Sequence, residues 1–180
     1  MLTHAQCVAV LGAVRSPVYR GVLGVMYGCG LRIGEAVAVT VKDMDAQRMV
    51  IRVVGKGNKE RLAPLSRGLL EDLRRMWSAH RHAQWLFANK GGSDHVAEGD
   101  LYKVFSQIRN DQGLDDTIKP HSLRHSFATR LMEQGVPAET VRILLGHASI
   151  KTTQTYLHLT EPIRRQVNDV VSSFSVSLFV

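Results

Sequence analysis

The stretch from Met49 to Leu65 constrains the fold more than any other. Met49 to Val54 is apolar and rich in β-branched residues, with Arg52 as its only charge. Gly55-Lys56-Gly57-Asn58-Lys59 follows, and Arg61 to Leu65 returns the chain, with Pro64 near its end. β-Branched residues suit a pleated, half-buried strand, and a tip of Gly and Asn supplies the backbone freedom of a tight turn. The segment therefore predicts an antiparallel hairpin. It is the one clear strand pair in the sequence, so it sets the fold class: a mainly α chain with a small antiparallel β-sheet against one side (α+β). A third strand is expected near Trp85 to Phe87.

Helical signals fill the rest. Thr3 with Gln6 three residues later has the form of a capping box, and Ala5 to Val14 continues as helix. Ser16-Pro17 restarts the chain, and Val18 to Tyr27 is a second, mostly apolar helix suited to a core. Gly28-Cys29-Gly30 breaks it, and Arg32 to Val39 reads as a short helix with Glu35 one turn after Arg32. Arg67 to His80 is amphipathic, Trp85 to Phe87 is a short buried segment and Asn89 to Asp94 is loop. Helices are predicted over Glu98 to Asn110, Ser122 to Glu133 and Pro137 to Leu145, then around Tyr156, and last over Glu161 to Val171. Gly135 and Gly146 act as stops, and Pro137 sits in a first turn.

With 180 residues and 44% hydrophobic content, the chain has enough material for one domain with a real core. Residues 1–180 are read as that single domain. The net charge of +7 favours a polyanionic partner, with nucleic acid as the default. Cys7 and Cys29 lie in apolar stretches without C-x-x-C spacing, which fits buried thiols in a reducing compartment. No apolar run approaches the ~20 residues of a membrane span, and the N-terminus lacks the pattern of a signal peptide. A cytoplasmic location and no membrane partner are expected.

The last third carries the chemistry. His121-Ser-Leu-Arg124-His125, then Leu145-Gly-His147, then Thr155-Tyr156 bring histidines, an arginine and a tyrosine into one ordered set. Phosphoryl transfer builds negative charge on phosphate oxygens, and arginines clamp it because the planar guanidinium donates in a fork and stays charged. Arg32 and Arg124 are the candidates. Arg32 could equally pair with Glu35 at the surface, and Arg124 could be a solvated arginine. Lys56, between glycines at a hairpin tip, could give a proton to a leaving alkoxide or be an ordinary exposed lysine. Tyr156, with a phenol pKa near ~10, is a poor nucleophile unless positive charge favours its phenolate. His121 and His125 have the i, i+4 spacing of metal ligands, but no H-E-x-x-H pattern and no third ligand accompany them. No metal and no cofactor are expected. His80 and His82 read as solvent-exposed residues rather than ligands, and His95 lies in a loop and carries no usable signal.

Taken together these segments resemble the tyrosine recombinases, or phage-type integrases, and look most like their Xer-type branch. The matching stretches are Gly30-Leu-Arg32-Ile-Gly-Glu35, Gly55-Lys56-Gly57-Asn-Lys-Glu-Arg-Leu-Ala-Pro64-Leu, His121-Ser-Leu-Arg124-His125-Ser-Phe-Ala-Thr, Leu144-Leu-Gly146-His147 and Thr152-Thr-Gln-Thr-Tyr156. The resemblance implies that Arg32, His121, Arg124 and His147 surround a scissile phosphate. It implies Lys56 as general acid for the 5′ oxygen, Tyr156 as the nucleophile that forms a 3′-phosphotyrosine link, and Glu35 as support for the first arginine. His121 becomes the candidate acceptor of the tyrosine proton. The implied partners are double-stranded DNA in the bacterial nucleoid and further copies of the chain, in a tetrameric synapse. The alternatives are a non-catalytic helix-turn-helix-like DNA-binding regulator and a type IB topoisomerase-like relaxase.

The resemblance also sets expectations at both ends. Members of this family carry an N-terminal helical DNA-clamping domain of roughly 100 residues. Here the first matching segment begins near residue 28, so that domain is expected to be absent and DNA binding to be weak and salt-sensitive. In the family the C-terminal helix often packs on a neighbouring protomer. The stripe Ile163, Val167, Val170, Val171 and Phe174 in residues 161–180 could do so, or could fold back on its own domain.

Overall fold

The computed structural model describes residues 1–55, 60–146, 159 and 161–174. Its order is α1 (His4–Ala13), α2 (Pro17–Gly28), α3 (Ile33–Val37), a 3-10 turn (Val41–Asp43), β1 (Met44–Asp45), β2 (Val50–Val54), β3 (Glu60–Pro64), α4 (Arg67–Ser78), α5 (Glu98–Asp111), α6 (His121–Glu133), α7 (Ala138–Leu144) and α8 (Glu161–Ser173). The mainly α fold with a small antiparallel sheet is therefore observed.

Local chemistry starts the first helices. Thr3 Oγ1 accepts from Gln6 N at 3.2 Å and Gln6 Oε1 accepts from Thr3 N at 2.9 Å, the reciprocal cap the sequence predicts. Ser16 caps α2, with Pro17 in its first turn. Every residue of α2 from Gly21 to Gly28 is buried, and α1, α3, α4 and α6 all pack on it. α4 turns Leu69, Leu70, Leu73 and Met76 inward, buries Asp72 among them, and leaves Glu71, Arg74 and Arg75 outside.

The sheet runs β1-β2-β3, all antiparallel, and β2 pairs with β3 from Val50↔Pro64 to Val54↔Glu60. Ile51 and Val53 face the core while Arg52 points out, where Asp43 and Glu60 bind it. The third strand is not Trp85 to Phe87, as expected, but Met44–Asp45 at the edge beside β2. Residues 85–87 make a single bridge, Thr40↔Trp85, and bond by backbone to Val39 and Val96. The apolar character of that run comes from plugging the core. Phe87 is fully buried, and its ring fills the space beside Gly21, where a β-carbon would lie 2.8 Å from Cε1.

α8 lies on its own domain. Val167, Val170, Val171 and Phe174 are buried, and the Phe174 ring sits 5.3 Å from Tyr27 and 5.6 Å from Phe127. Arg130 covers the Phe174 ring at 5.2 Å. The helix expected around Tyr156 lies outside the described residues. Among the described residues no helix is long and apolar enough to cross a membrane.

Gly30, in the turn that leads from α2 to Arg32, has φ +69°, a conformation in which side chains are strained. A β-carbon there would lie 2.6 Å from Cδ1 and Cε1 of Phe127, which is fully buried. Gly30→Ala is expected to cost about 2–4 kcal/mol, from left-handed strain plus overpacking. Urea denaturation checks this, and an unchanged midpoint would refute the close approach.

Candidate active site

Glu35 lies in α3, three residues after Arg32, and the two segments of its carboxylate surroundings come from distant parts of the chain. Arg32 ends the turn after Gly30 and occupies the position before α3. Its backbone N–H donates to Glu35 Oε2 at 2.8 Å and its Nη1 donates to Oε1 at 2.8 Å. From β3, Arg61 donates Nη1 to Oε1 at 3.0 Å and Nη2 to Oε2 at 2.8 Å. From α6, Arg124 brings Nη1 to 3.7 Å of Oε2. One carboxylate therefore lies under three guanidiniums, and the cluster keeps an excess of positive charge.

The two inner arginines also bind backbone. Arg124 donates Nη1 to the Gly30 carbonyl at 2.6 Å and Nη2 to the Leu145 carbonyl at 2.7 Å. Arg61 donates Nε to the Leu144 carbonyl at 3.0 Å. Consecutive carbonyls at the end of α7 are thus held by different arginines. Gly146 has φ +70°, and a β-carbon there would lie 2.9 Å from Arg61 Cδ.

Burial separates the three cations. The side chains of Arg61 and Arg124 are 5% and 3% exposed, Glu35 is 7% exposed, and Arg32 is 42% exposed. Arg32 is the member of the cluster that reaches solvent. Burial first, and then the Arg32 and Arg61 charges, push the Arg124 guanidinium down to about 9, against the pull of Glu35. For Glu35, burial on its own would raise the carboxyl pKa. The Arg61 hydrogen bonds and charge, joined by the bonds from Arg32, outweigh it and hold the group below its ordinary value.

His121 opens α6 one turn before His125, and both side chains are exposed. Their rings meet edge to face, with centroids 4.6 Å apart. Among the described residues no group of three or more His, Cys, Asp and Glu is arranged to hold a metal ion. Lys56, His147 and Tyr156 lie outside the described residues. The structure thus brings Arg32, Glu35 and Arg124 together, and puts His121 on the same helix as Arg124. Arg32 does pair with Glu35, but the carboxylate it meets is buried, and Arg124 is buried rather than solvated.

Arg61 is the member of the cluster that sequence reading missed. The signal was available in the register. Val53 faces the core, and residues opposite each other on paired strands share a face, so its partner Arg61 must point inward as well. A charged residue on the inner face of a strand needs a counter-charge, and Glu35 is that charge. The sequence reads His82 as solvent-exposed rather than as a ligand. Its ring instead accepts from Gln84 N and Trp85 N and lies 3.1 Å from the Gly92 carbonyl, which ties down the loop before residues 85–87.

The Glu35 shift predicts an acid dependence of stability. Its native pKa lies below its ordinary 4.5, so the unfolded chain takes up the proton first as pH falls. The stabilisation is fully present above about pH 4.5 and is lost as pH falls through the native value. Glu35→Gln is expected to lower Tm at pH 7 and to flatten the decline of Tm between about pH 4.5 and pH 2. Parallel wild-type and variant curves would refute it.

Comparison with known proteins identifies the family. The phage integrase family matches residues 1–162. The chain is 39% identical over 150 residues to a putative integrase/recombinase, y4qK, of Sinorhizobium fredii, covering 83% of this chain and 49% of that protein. It is 40% identical over 146 residues to the tyrosine recombinase XerC of Escherichia coli, covering 78% and 48%. The structure of the XerH site-specific recombinase bound to palindromic difH substrate, a post-cleavage complex, superposes with a TM-score of 0.72 at 28% identity, covering 89% of this chain and 49% of that one. The chain spans about half the length of the curated relatives it matches. Since the family match runs from α1 into the start of α8 and takes in the whole arginine cluster, this chain belongs to the phage integrase family, among the tyrosine recombinases.

Proposed function

We propose that this chain cleaves and rejoins DNA strands as the catalytic domain of a site-specific recombinase. The observation that carries the reading is the buried arginine cluster on Glu35, with Arg32 half-exposed at its rim. Guanidiniums fixed in a dry site stabilise charge as it develops on phosphate oxygens, with little reorganisation. The net charge of +7 suits a polyanion such as double-stranded DNA.

In the proposed reaction the Tyr156 hydroxyl attacks phosphorus and the bond from phosphorus to the 5′ oxygen breaks. The tyrosine proton passes to His121, and Lys56 gives a proton to the leaving 5′ oxygen. Arg32, Arg124 and His147 hold the phosphate oxygens. The products are a 3′-phosphotyrosyl ester and a free 5′ hydroxyl. The ester keeps the free energy of the original phosphodiester, so attack by the 5′ hydroxyl of another strand reseals DNA without ATP. Positive side chains supply the charge stabilisation that metal ions supply elsewhere. Exchange between two duplexes needs four such attacks, which fits assembly of four copies on DNA. In a bacterium the substrate is the nucleoid.

A nicked suicide duplex traps the covalent step, because the small fragment 3′ of the break diffuses away. The wild-type chain is expected to form a denaturant-stable protein–DNA adduct. Tyr156→Phe is expected to abolish the adduct while DNA binding survives. Arg32→Ala is expected to slow adduct formation by about 100-fold or more, the scale of losing one oxyanion donor. An adduct that persists in Tyr156→Phe would sink the nucleophile assignment. DNA binding without any adduct, on duplexes that full-length relatives cleave, would favour the non-catalytic regulator.

A further inference from the structure

Arg61 uses all three guanidinium nitrogens. Nη1 and Nη2 take the two oxygens of Glu35 as a fork, and Nε takes the Leu144 carbonyl. Its stem passes within contact of Gly146. The residue lies in β3, 26 positions from Glu35 and 83 from Leu144. A lysine could not copy this, since one ammonium cannot present three coplanar donors.

The same carboxylate borders both proposed phosphate ligands. Arg32 Nη1 already donates to Oε1, and Arg124 Nη1 stands 3.7 Å from Oε2, too far for a hydrogen bond. Glu35 needs compensation because it is buried. If Arg61 did not supply it, the nearest cation able to close on Oε2 would be Arg124. That movement would draw Arg124 away from the Gly30 and Leu145 carbonyls and neutralise charge meant for an anion.

We propose that Arg61 is a positioning residue that saturates Glu35, so that Arg32 and Arg124 keep their places and their positive charge for the scissile phosphate. Arg61 acts through Glu35 and touches no substrate. This inference rests on the strand-transfer reading above, in that the phosphate is the group Arg32 and Arg124 receive.

The test uses inorganic sulfate as the probe, so it does not depend on knowing the DNA site. Sulfate is expected to raise the Tm of the wild-type chain more than chloride at matched ionic strength, and Arg32→Ala is expected to remove most of that rise. Arg61→Met leaves two guanidiniums on a charged carboxylate and is expected to lose most of the sulfate response. Adding Glu35→Gln to Arg61→Met removes the uncompensated charge. It leaves two guanidiniums with no carboxylate, the same excess of positive charge as in the wild type. This double variant is expected to regain both stability and the sulfate response, because a buried pair removed together costs far less than one partner removed alone. On any nicked duplex the wild-type chain cleaves, Arg61→Met is expected to lose about 100-fold in single-turnover cleavage while DNA affinity changes by less than about threefold.

A full sulfate response in Arg61→Met would overturn the proposal. So would a folded double variant that stays unresponsive, since that would leave Arg61 a packing role only. If Arg61→Met fails to fold, the double variant against Glu35→Gln alone decides the matter by the same criterion. A wild-type chain without a sulfate response would also overturn it. Failure of the strand-transfer reading shows separately, as a normal sulfate pattern without any covalent DNA adduct.

Discussion

Burying the Glu35 carboxylate under three guanidiniums is the constraint on which the rest of the site depends. A buried ion pair is weak evidence for stability, because desolvating the charges offsets most of their attraction. Its effect is better described as registry. Arg61 reaches Glu35 across 26 residues, Arg124 reaches Gly30 across 94, and Arg61 reaches Leu144 across 83. The α2–α3 turn, β3, α6 and the end of α7 must all be in place before any of these bonds forms. A misplaced element would leave a buried charge uncompensated, which costs several kcal/mol. The network thus rejects near-native packings more strongly than it rewards the native one.

The apolar frame and the charged cluster meet at Gly30. Phe127 packs against its α-carbon, while Arg124, one turn earlier on the same helix, binds its carbonyl. α6 therefore presses one glycine with a ring and a guanidinium at once. A left-handed φ at Gly30 lets the chain leave α2 and bring Arg32 to the site within two residues. α8 completes this frame from the far side, with Phe174 closing on Phe127 and Tyr27. The ring that positions Gly30 is thus itself held by Phe174, the residue that follows the last described helix.

What the sequence disclosed divides along the same line. The hairpin, the Thr3 cap, the restart at Ser16-Pro17 and the Gly30 break were legible because each is decided by a few adjacent residues. The Arg32–Glu35 spacing was legible too, but its burial was not, because i, i+3 pairs look the same at a surface and in a core. Arg61 escaped notice because it sits at the base of a charged hairpin tip, where a cation reads as solvated. Met44–Asp45 escaped because a two-residue edge strand has no periodicity to detect. Trp85 to Phe87 misled for the opposite reason. Its apolar run has the composition of a strand, while its role is to fill the space beside Gly21.

The arginines differ in a way that bears on the proposed chemistry. Arg124 is almost fully buried, and two of its nitrogens lie on backbone carbonyls, so its position is set before any anion arrives. Arg32 is half-exposed and tied by Nη1 to Glu35, so it can approach a phosphate from the solvent side. Holding the Arg124 charge in that setting is costly, as its depressed pKa records. An anion entering beside it offsets that cost, and the offset grows as more negative charge accumulates on the anion. In the proposed reaction the pentavalent phosphorane carries more charge on its oxygens than the resting phosphodiester, so a buried cluster with an excess of positive charge would favour the first over the second. That difference lowers a barrier, whereas equal affinity for both would only retain DNA.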